Sequence, residues 1–394
     1  MPPDPPPSPD PPAPPGAIAS PAVVAREWTR LGLIGFGGPP THIALLRRLV
    51  VDRHRWMDAR AFEDANAACG MLPGPASTQM AIYCAYRVAG PLGAVIGGLG
   101  FVVPAVVVIL ALSAVVLGHA PPLWVRGAGA GASAAVPAVA AQAARGLLGP
   151  SLDGARSRSA VPAWTAYVIA GGVAAAIIGS YLVLVLIACG VVELVRRRPA
   201  ASLPSIGVPA VFATISAGGY GALAWTAVKV GALSFGGGFV IIPLMQGDAV
   251  HVNHWMTNAQ FLNAVALGQI TPGPVVATIA AVGYAAHGLA GGIMAAAIAF
   301  APSFAFVLLA GRRFDGLRDL PRPRAFLDGA GPAAIGAIAG AAVTLASVLA
   351  ERWQIAELAA AVIVLLVLNR GVLFTLVTAA AIGVALALAG APVP

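Results

Sequence analysis

Two short motifs, each present twice, are the places where this chain can meet an anion. Phe36-Gly37-Gly38-Pro39 and Phe235-Gly236-Gly237-Gly238 interrupt apolar runs, and so do Pro73-Gly74-Pro75 and Pro272-Gly273-Pro274. Proline removes a backbone donor and blocks the helical turn before it, yet it suits the first position of a new helix. Each motif therefore reads as a break followed by a fresh helix N-terminus. Such an end carries unpaired N–H groups and about half a positive charge, which favours oxyanions. The candidate binding backbone is Gly37, Gly38, Gly74, Pro75, Gly237, Gly238, Gly273 and Pro274. Thr41, Ser77, Thr78, Gln269 and Thr271, with Gln79, offer hydroxyl and amide groups beside it. Packing kinks are the alternative, since Gly and Pro are frequent in membrane helices, but two kinds of break, each repeated, favour a site.

Arg30 and Lys229 each lie six residues before the phenylalanine of an FGG motif, and Lys229 is the only lysine in the chain. A cation inside an apolar run is costly and marks function by default; attraction of a dianion would offset the cost, whereas snorkelling to the headgroups would avoid it. Histidine is the side chain whose unperturbed charge change falls near neutral pH, and with Glu63 and Asp64, His42 is a candidate for proton coupling. Glu27, Glu193 and Asp248 have no counterpart in the other half of the chain and are expected at solvated or interfacial positions. No HExxH, GxSxG or P-loop pattern occurs, and neither the histidines nor Cys69, Cys84 and Cys189 stand at ligand spacing. No catalytic residue, metal or cofactor is implied, so an intramembrane enzyme is the weakest reading.

The elements that hold these motifs must be membrane helices. The 394 residues are 59 % hydrophobic and 10 % charged, with a mean hydropathy of +0.86; a soluble domain carries about 25 % charged residues. The apolar stretches are continuous Ala, Val, Leu, Ile and Gly rather than alternating, and several approach the roughly 20 residues of a spanning helix. The net charge of +8 does not indicate nucleic acid, because the arginines sit in short loops between apolar segments. The expected partners are the lipid bilayer and a small anion; a homodimer is compatible with the sequence.

The chain is a duplication. Residues 32–75 align with 231–274 at a constant offset of 199: LGLIGFGG with VGALSFGG, HRWMDARAF with NHWMTNAQF, MLPGP with ITPGP. Tyr86, Gly90, Gly93 and Pro104 then meet Tyr284, Gly288, Gly291 and Pro302. Basic residues distinguish the copies. Arg47, Arg48, Arg53, Arg55 and Arg60 follow the first FGG, while 246–259 has no Lys or Arg; 114–125 has none, while 311–324 carries five arginines. Cytoplasmic loops hold the excess, so the copies face opposite ways, as in many secondary transporters. The expected fold is all-α, a polytopic membrane protein of two inverted repeats with broken or re-entrant helices at FGG and PGP.

The boundaries follow. Residues 1–20 form a Pro-rich disordered tail, 21–198 repeat 1, 199–218 a linker or short connecting helix, and 219–394 repeat 2. In this topology FGG and LPGP are the tips of segments that enter and return, four crossings end at Arg196, Arg197 and Arg198 inside, and a short stretch near 206–220 crosses. The N-terminus is then cytoplasmic and the C-terminus outside.

FGGPPTHIALLRRLVVDRHRW, LPGPASTQMAIYCAYRVAG and FVVP, followed by KVGALSFGGGFVIIPL and QITPGPVVATIAAVGY, resemble the chromate ion transporter family in its long, two-repeat form. The resemblance runs from about residue 24 to the C-terminus. It implies an inner-membrane carrier that exports chromate and confers resistance, driven by the membrane potential or a proton gradient, with sulfate as competitor because it shares shape and charge. A carrier or channel for sulfate or another oxyanion is the alternative. Two departures stand out: Gly70 replaces the Gln that copy 2 keeps as Gln269, and Gln246-Gly247 replaces a usual acidic pair.

Overall fold

The computed structural model describes residues 19–72, 74–118, 121–197, 219–234, 238–310 and 321–393. The Pro-rich tail to residue 18, the linker with its expected crossing, and Pro73, Phe235, Gly236 and Gly237 lie outside the described residues. Repeat 1 runs α1 (Pro21–Ile34), α2 (Pro39–Arg47), α3 (Ala59–Met71), α4 (Ala76–Val116), α5 (Leu123–Arg156), α6 (Val161–Ile177) and α7 (Leu182–Arg196). Repeat 2 runs α8 (Tyr220–Leu233), α9 (Ile241–Gln246), α10 (Asn258–Ile270), α11 (Thr278–Ala310), α12 (Pro321–Ser347), α13 (Arg352–Val362) and α14 (Val372–Leu388). No strand occurs among the described residues.

Matched positions adopt matched conformations. Arg48–Arg53 and Gly247–Val252 are both π-helical turns, and Arg55 and His254 after them both have positive φ, 51° and 52°. Asp58 and Thr257 both cap the next helix, accepting from the N–H groups of Ala61 and Gln260. Inside α4, Ala89 and Gly90 (φ 64°, ψ −159°) break the helix; inside α11, His287 and Gly288 (φ 61°, ψ −153°) do the same. These breaks are full reversals. A Cβ on Gly98 would stand 2.9 Å from Ile82, 16 positions earlier, and one on Gly292 would stand 2.8 Å from the carbonyl of Ala280; a straight helix would separate such pairs by about 18–24 Å.

Each repeat thus begins with two hairpins. The α1–α2 hairpin closes through Arg53 donating to Glu27 at 3.3 Å and Trp28 stacking on Trp56 at 6.4 Å. In the second, Cys69 of α3 lies 4.0 Å from Met80 of α4. With 14 and 13 residues, α1 and α3 are about 20 Å long, short of the roughly 30 Å hydrocarbon core. In repeat 1 the described part of FGG lies at the turn between α1 and α2, and Gly74 at the turn between α3 and α4.

The long arms bring the copies together. Gly98 of α4 packs on Phe304 of α11, and Leu110 on Gly292, so these equivalent helices run antiparallel. The copies also exchange helices. Gly127 and Gly131 of α5 pack on Gly383 and Ala379 of α14, while Gly329 of α12 packs on Cys189 of α7, and Gly336 and Gly340 on Val168 and Gly172 of α6. Small residues let backbones touch where no water-driven force holds helices together. Three described stretches are long and apolar enough to cross a membrane: Ala76–Val116, Val275–Leu309 and Arg324–Ser347. The first two contain the reversals, so their spanning parts are the arms after Gly90 and Gly288. Ile177, Leu309, Val343 and Val367 stand exposed on the outer surface, as lipid-facing residues do.

Antiparallel α4 and α11 predict opposite exposure of matched loops. A cysteine replacing Asn253 should react with an impermeant thiol reagent added outside intact cells, and one replacing Arg53 only after the cytoplasmic face is opened. Reaction of both from one side would contradict this arrangement.

Candidate functional site

The tips meet one another. α1 stops at Ile34, and the carbonyl of Gly35 accepts a hydrogen bond from the Gly273 N–H at 2.9 Å, joining the FGG tip of copy 1 to the PGP tip of copy 2. His42, one turn into α2 and fully buried, places Nε2 2.9 Å from the same carbonyl and Nδ1 3.3 Å from the Ser77 hydroxyl. A carbonyl only accepts, so Nε2 carries a proton and donates to Gly35. His42 therefore ties three tips into one network.

The PGP tips are placed reciprocally. Gly74 has φ +115° and Gly273 φ +101°, conformations that side chains disfavour. A Cβ on Gly74 would lie 2.8 Å from the Gln79 amide, 3.2 Å from the carbonyl of Gly231 and 3.5 Å from the hydroxyl of Ser303. On Gly273 it would lie 2.6 Å from the methyl of Ala105. Ser303 and Ala105 follow the matched prolines of α11 and α4, so each tip seats against the other copy's long arm. New helices start behind the breaks at Pro39, Ala76 and Val275. Thr41 leans over Gly37, and Gly238 sits between Ser234 and Val275. Ser77, Thr78, Gln269 and Thr271 are all buried.

Several buried donors at the tips have nothing to bond. The hydroxyls of Thr78, Ser234 and Ser303 and the amide nitrogen of Gln269 lack a hydrogen-bond partner among the described residues. Burying such a group unpaired costs about 1–3 kcal/mol. Ser234 and Ser303 were not singled out in the sequence. Their signal is the repeat itself, since they match Gly35 and Ala105.

The charged candidates are placed differently from expectation. Lys229 is not a free cation: it is buried and ion-paired with Asp248, whose carboxylate also accepts from Thr226 at 2.8 Å, and Trp225 lies under the ammonium at 5.8 Å. Asp248 is accordingly buried rather than solvated, because the α8–α9 hairpin folds it onto the lysine. Glu27 is buried too, bonded by Arg26 and Arg53. Arg30, the counterpart of Lys229, is exposed in a cavity of about 350 Å³ shared with Glu27, Arg48 and Arg53. Glu63 is exposed and paired with Arg47 at 3.4 Å, and Asp64 is half-buried on the same helix. His42 is the proton-coupling candidate seen bonded at the tips.

The profile of the chromate transporter family, described as chromate transporter, matches the chain twice, over residues 22–194 and 221–385. The chain is 33 % identical to the chromate transport protein of Cupriavidus metallidurans over 328 residues, 80 % of each chain. It is 30 % identical to the chromate transport protein of Pseudomonas aeruginosa, over 84 % of this chain and 82 % of that one. A probable chromate transport protein of Synechococcus elongatus is 28 % identical over 82 % of this chain and 84 % of its own. No solved structure matches.

The Lys229–Asp248 pair makes a stability prediction. Lys229→Met leaves a buried carboxylate uncompensated and should cost about 3–5 kcal/mol, whereas Lys229→Met with Asp248→Leu should recover most of that loss. Thermal unfolding of the purified protein in detergent reads both. Equal destabilisation by the single and double variants would show that the charges are not coupled.

Proposed function

Because the chain belongs to the chromate transporter family, we propose that it carries chromate across the cytoplasmic membrane, with the anion held where the four tips converge. The observation that carries this reading is the set of buried, unpartnered donors on Thr78, Ser234, Ser303 and Gln269 beside three described helix starts. A tetrahedral oxyanion brings acceptors in all directions and charge for the helix ends. Gly37, Gly38, Pro75, Gly238 and Pro274 supply backbone around it, and Thr41, Ser77 and Thr271 widen the shell. Lys229 holds Asp248 in this state; exchange of that partner for substrate charge is the role left to it, while Arg30 attracts the anion from its exposed position.

The direction is export, which confers chromate resistance. The inverted copies give the carrier two related arrangements, open to either side, as in other inverted-repeat carriers. The N-terminus is cytoplasmic and the C-terminus external. His42 is the proton carrier if transport is proton-coupled, since its two ring nitrogens join the Gly35 carbonyl to Ser77. Sulfate, with the same shape and charge, competes at the same donors.

Radiolabelled chromate uptake into inside-out vesicles, normalised to protein level, tests the site. Gly273→Val and Gly74→Val should lose transport while still inserting, because the new side chain enters both a strained φ and the tip contacts. Ser303→Ala should raise KM several-fold, and excess sulfate should inhibit the parent. Parental rates in both glycine variants would place the binding site elsewhere.

A further inference from the structure

Beside the ends of four helices lies a cavity of about 430 Å³. It is walled by the close of α5, the start of α6, the close of α7 and the start of α12. Arginine excess assigns every one of these ends to the cytoplasm. Three guanidinium groups line it, those of Arg158, Arg197 and Arg324. Gly70, on the last turn of α3 just ahead of the first PGP tip, forms part of its wall. The cavity therefore runs from the arginine-rich face toward the tips.

Its charges are arranged in an uneven way. Asp328 of α12 accepts from Arg158 at 3.0 Å and from Arg197 at 2.7 Å. Glu193 is buried and accepts from Arg197 and Arg196 at 2.7 Å each. Arg324 makes no ion pair among the described residues. Three cations thus face two carboxylates on the wall, and each guanidinium has five donors, of which these pairs use one or two. Both pairs made by Asp328 join repeat 1 to repeat 2.

We propose that this cavity is a second binding site for a tetrahedral dianion, loaded from the cytoplasm and held by Arg158, Arg197 and Arg324, with Asp328 standing in for the anion while the site is empty. The proposal rests on reading the tips as the transport site. A partly enclosed cavity with net positive charge concentrates anions at its mouth. Bidentate guanidinium groups match oxyanion geometry. The arriving dianion takes the place of the Asp328 carboxylate on Arg158 and Arg197. That exchange loosens the ionic contact between the two repeats when substrate is present.

The test is initial-rate chromate uptake into inside-out vesicles, across chromate concentrations and at two ionic strengths. Arg324→Gln should raise KM about tenfold at low salt and much less at high salt, with the maximal rate kept. Arg324→Lys should restore most of the loss. Asp328→Asn removes the competitor, so KM should fall even though the melting temperature also falls. A KM unmoved by Arg324→Gln at either salt, or a rise in KM with Asp328→Asn, overturns the proposal, because ion pairs that only hold the fold would lower stability and leave KM alone. Equilibrium binding of radiolabelled chromate separates this site from the tips. Purified Gly273→Val should keep weak, salt-sensitive binding that Gly273→Val with Arg324→Gln loses; equal binding by the two refutes the cavity site. If Gly273→Val transports like the parent, the tip reading fails while the KM comparison still decides the cavity.

Discussion

A backbone that breaks inside an apolar layer must find its hydrogen bonds within the protein, and here the Gly35 carbonyl and the Gly273 N–H find each other. One belongs to each copy, so neither broken tip is complete alone. His42 adds a second donor to the same carbonyl and passes the connection to Ser77. Gly74 and Gly273 must be glycine because the tips approach the facing copy so closely. The small residues where α4 crosses α11 and α5 crosses α14 follow from the same demand, since side chains there would hold the tips apart.

The copies share a frame and differ in what they do with charge. By the repeat offset, Glu27 corresponds to Thr226 and Arg30 to Lys229. In copy 1 the carboxylate turns to Arg26 and Arg53, leaving Arg30 at the surface. In copy 2 the hydroxyl takes the carboxylate's place and Asp248 arrives from the facing helix, so the lysine is buried and neutralised. An exposed arginine exerts a field on the approaching anion that salt screens; a buried pair does not act at range but is sensitive to any charge that comes near it.

Much of this frame was readable in the residues. Continuous apolar runs and sparse charge point to membrane helices. The repeat offset located matched breaks, and the arginine bias gave the copies opposite directions, which the antiparallel crossing of α4 and α11 fits. The reversals at Gly90 and Gly288 could be seen as matched glycines but not as turns, because a glycine in an apolar run is equally at home in a straight membrane helix. Asp248 was misplaced since its partner is fixed by a hairpin, not by helical spacing. Glu193 was taken as interfacial, yet it is buried among Arg196, Arg197 and Tyr167, which converge on it from two helices. Ser234 and Ser303 carry no motif; they matter only because the fold strips them of partners.

The exchange of helices between copies bears on how the chain is made. When α6 and α7 leave the ribosome, the glycine-rich face of α12 that will cover Gly171, Gly172 and Gly190 has not yet been translated. The nascent first half must therefore wait in the bilayer with backbone-deep grooves unfilled and Glu193 lacking the wall that α12 later provides. Synthesis of repeat 2 does more than add a second half: it closes the first. The order of translation thus leaves the packing of the first copy to be completed by the second.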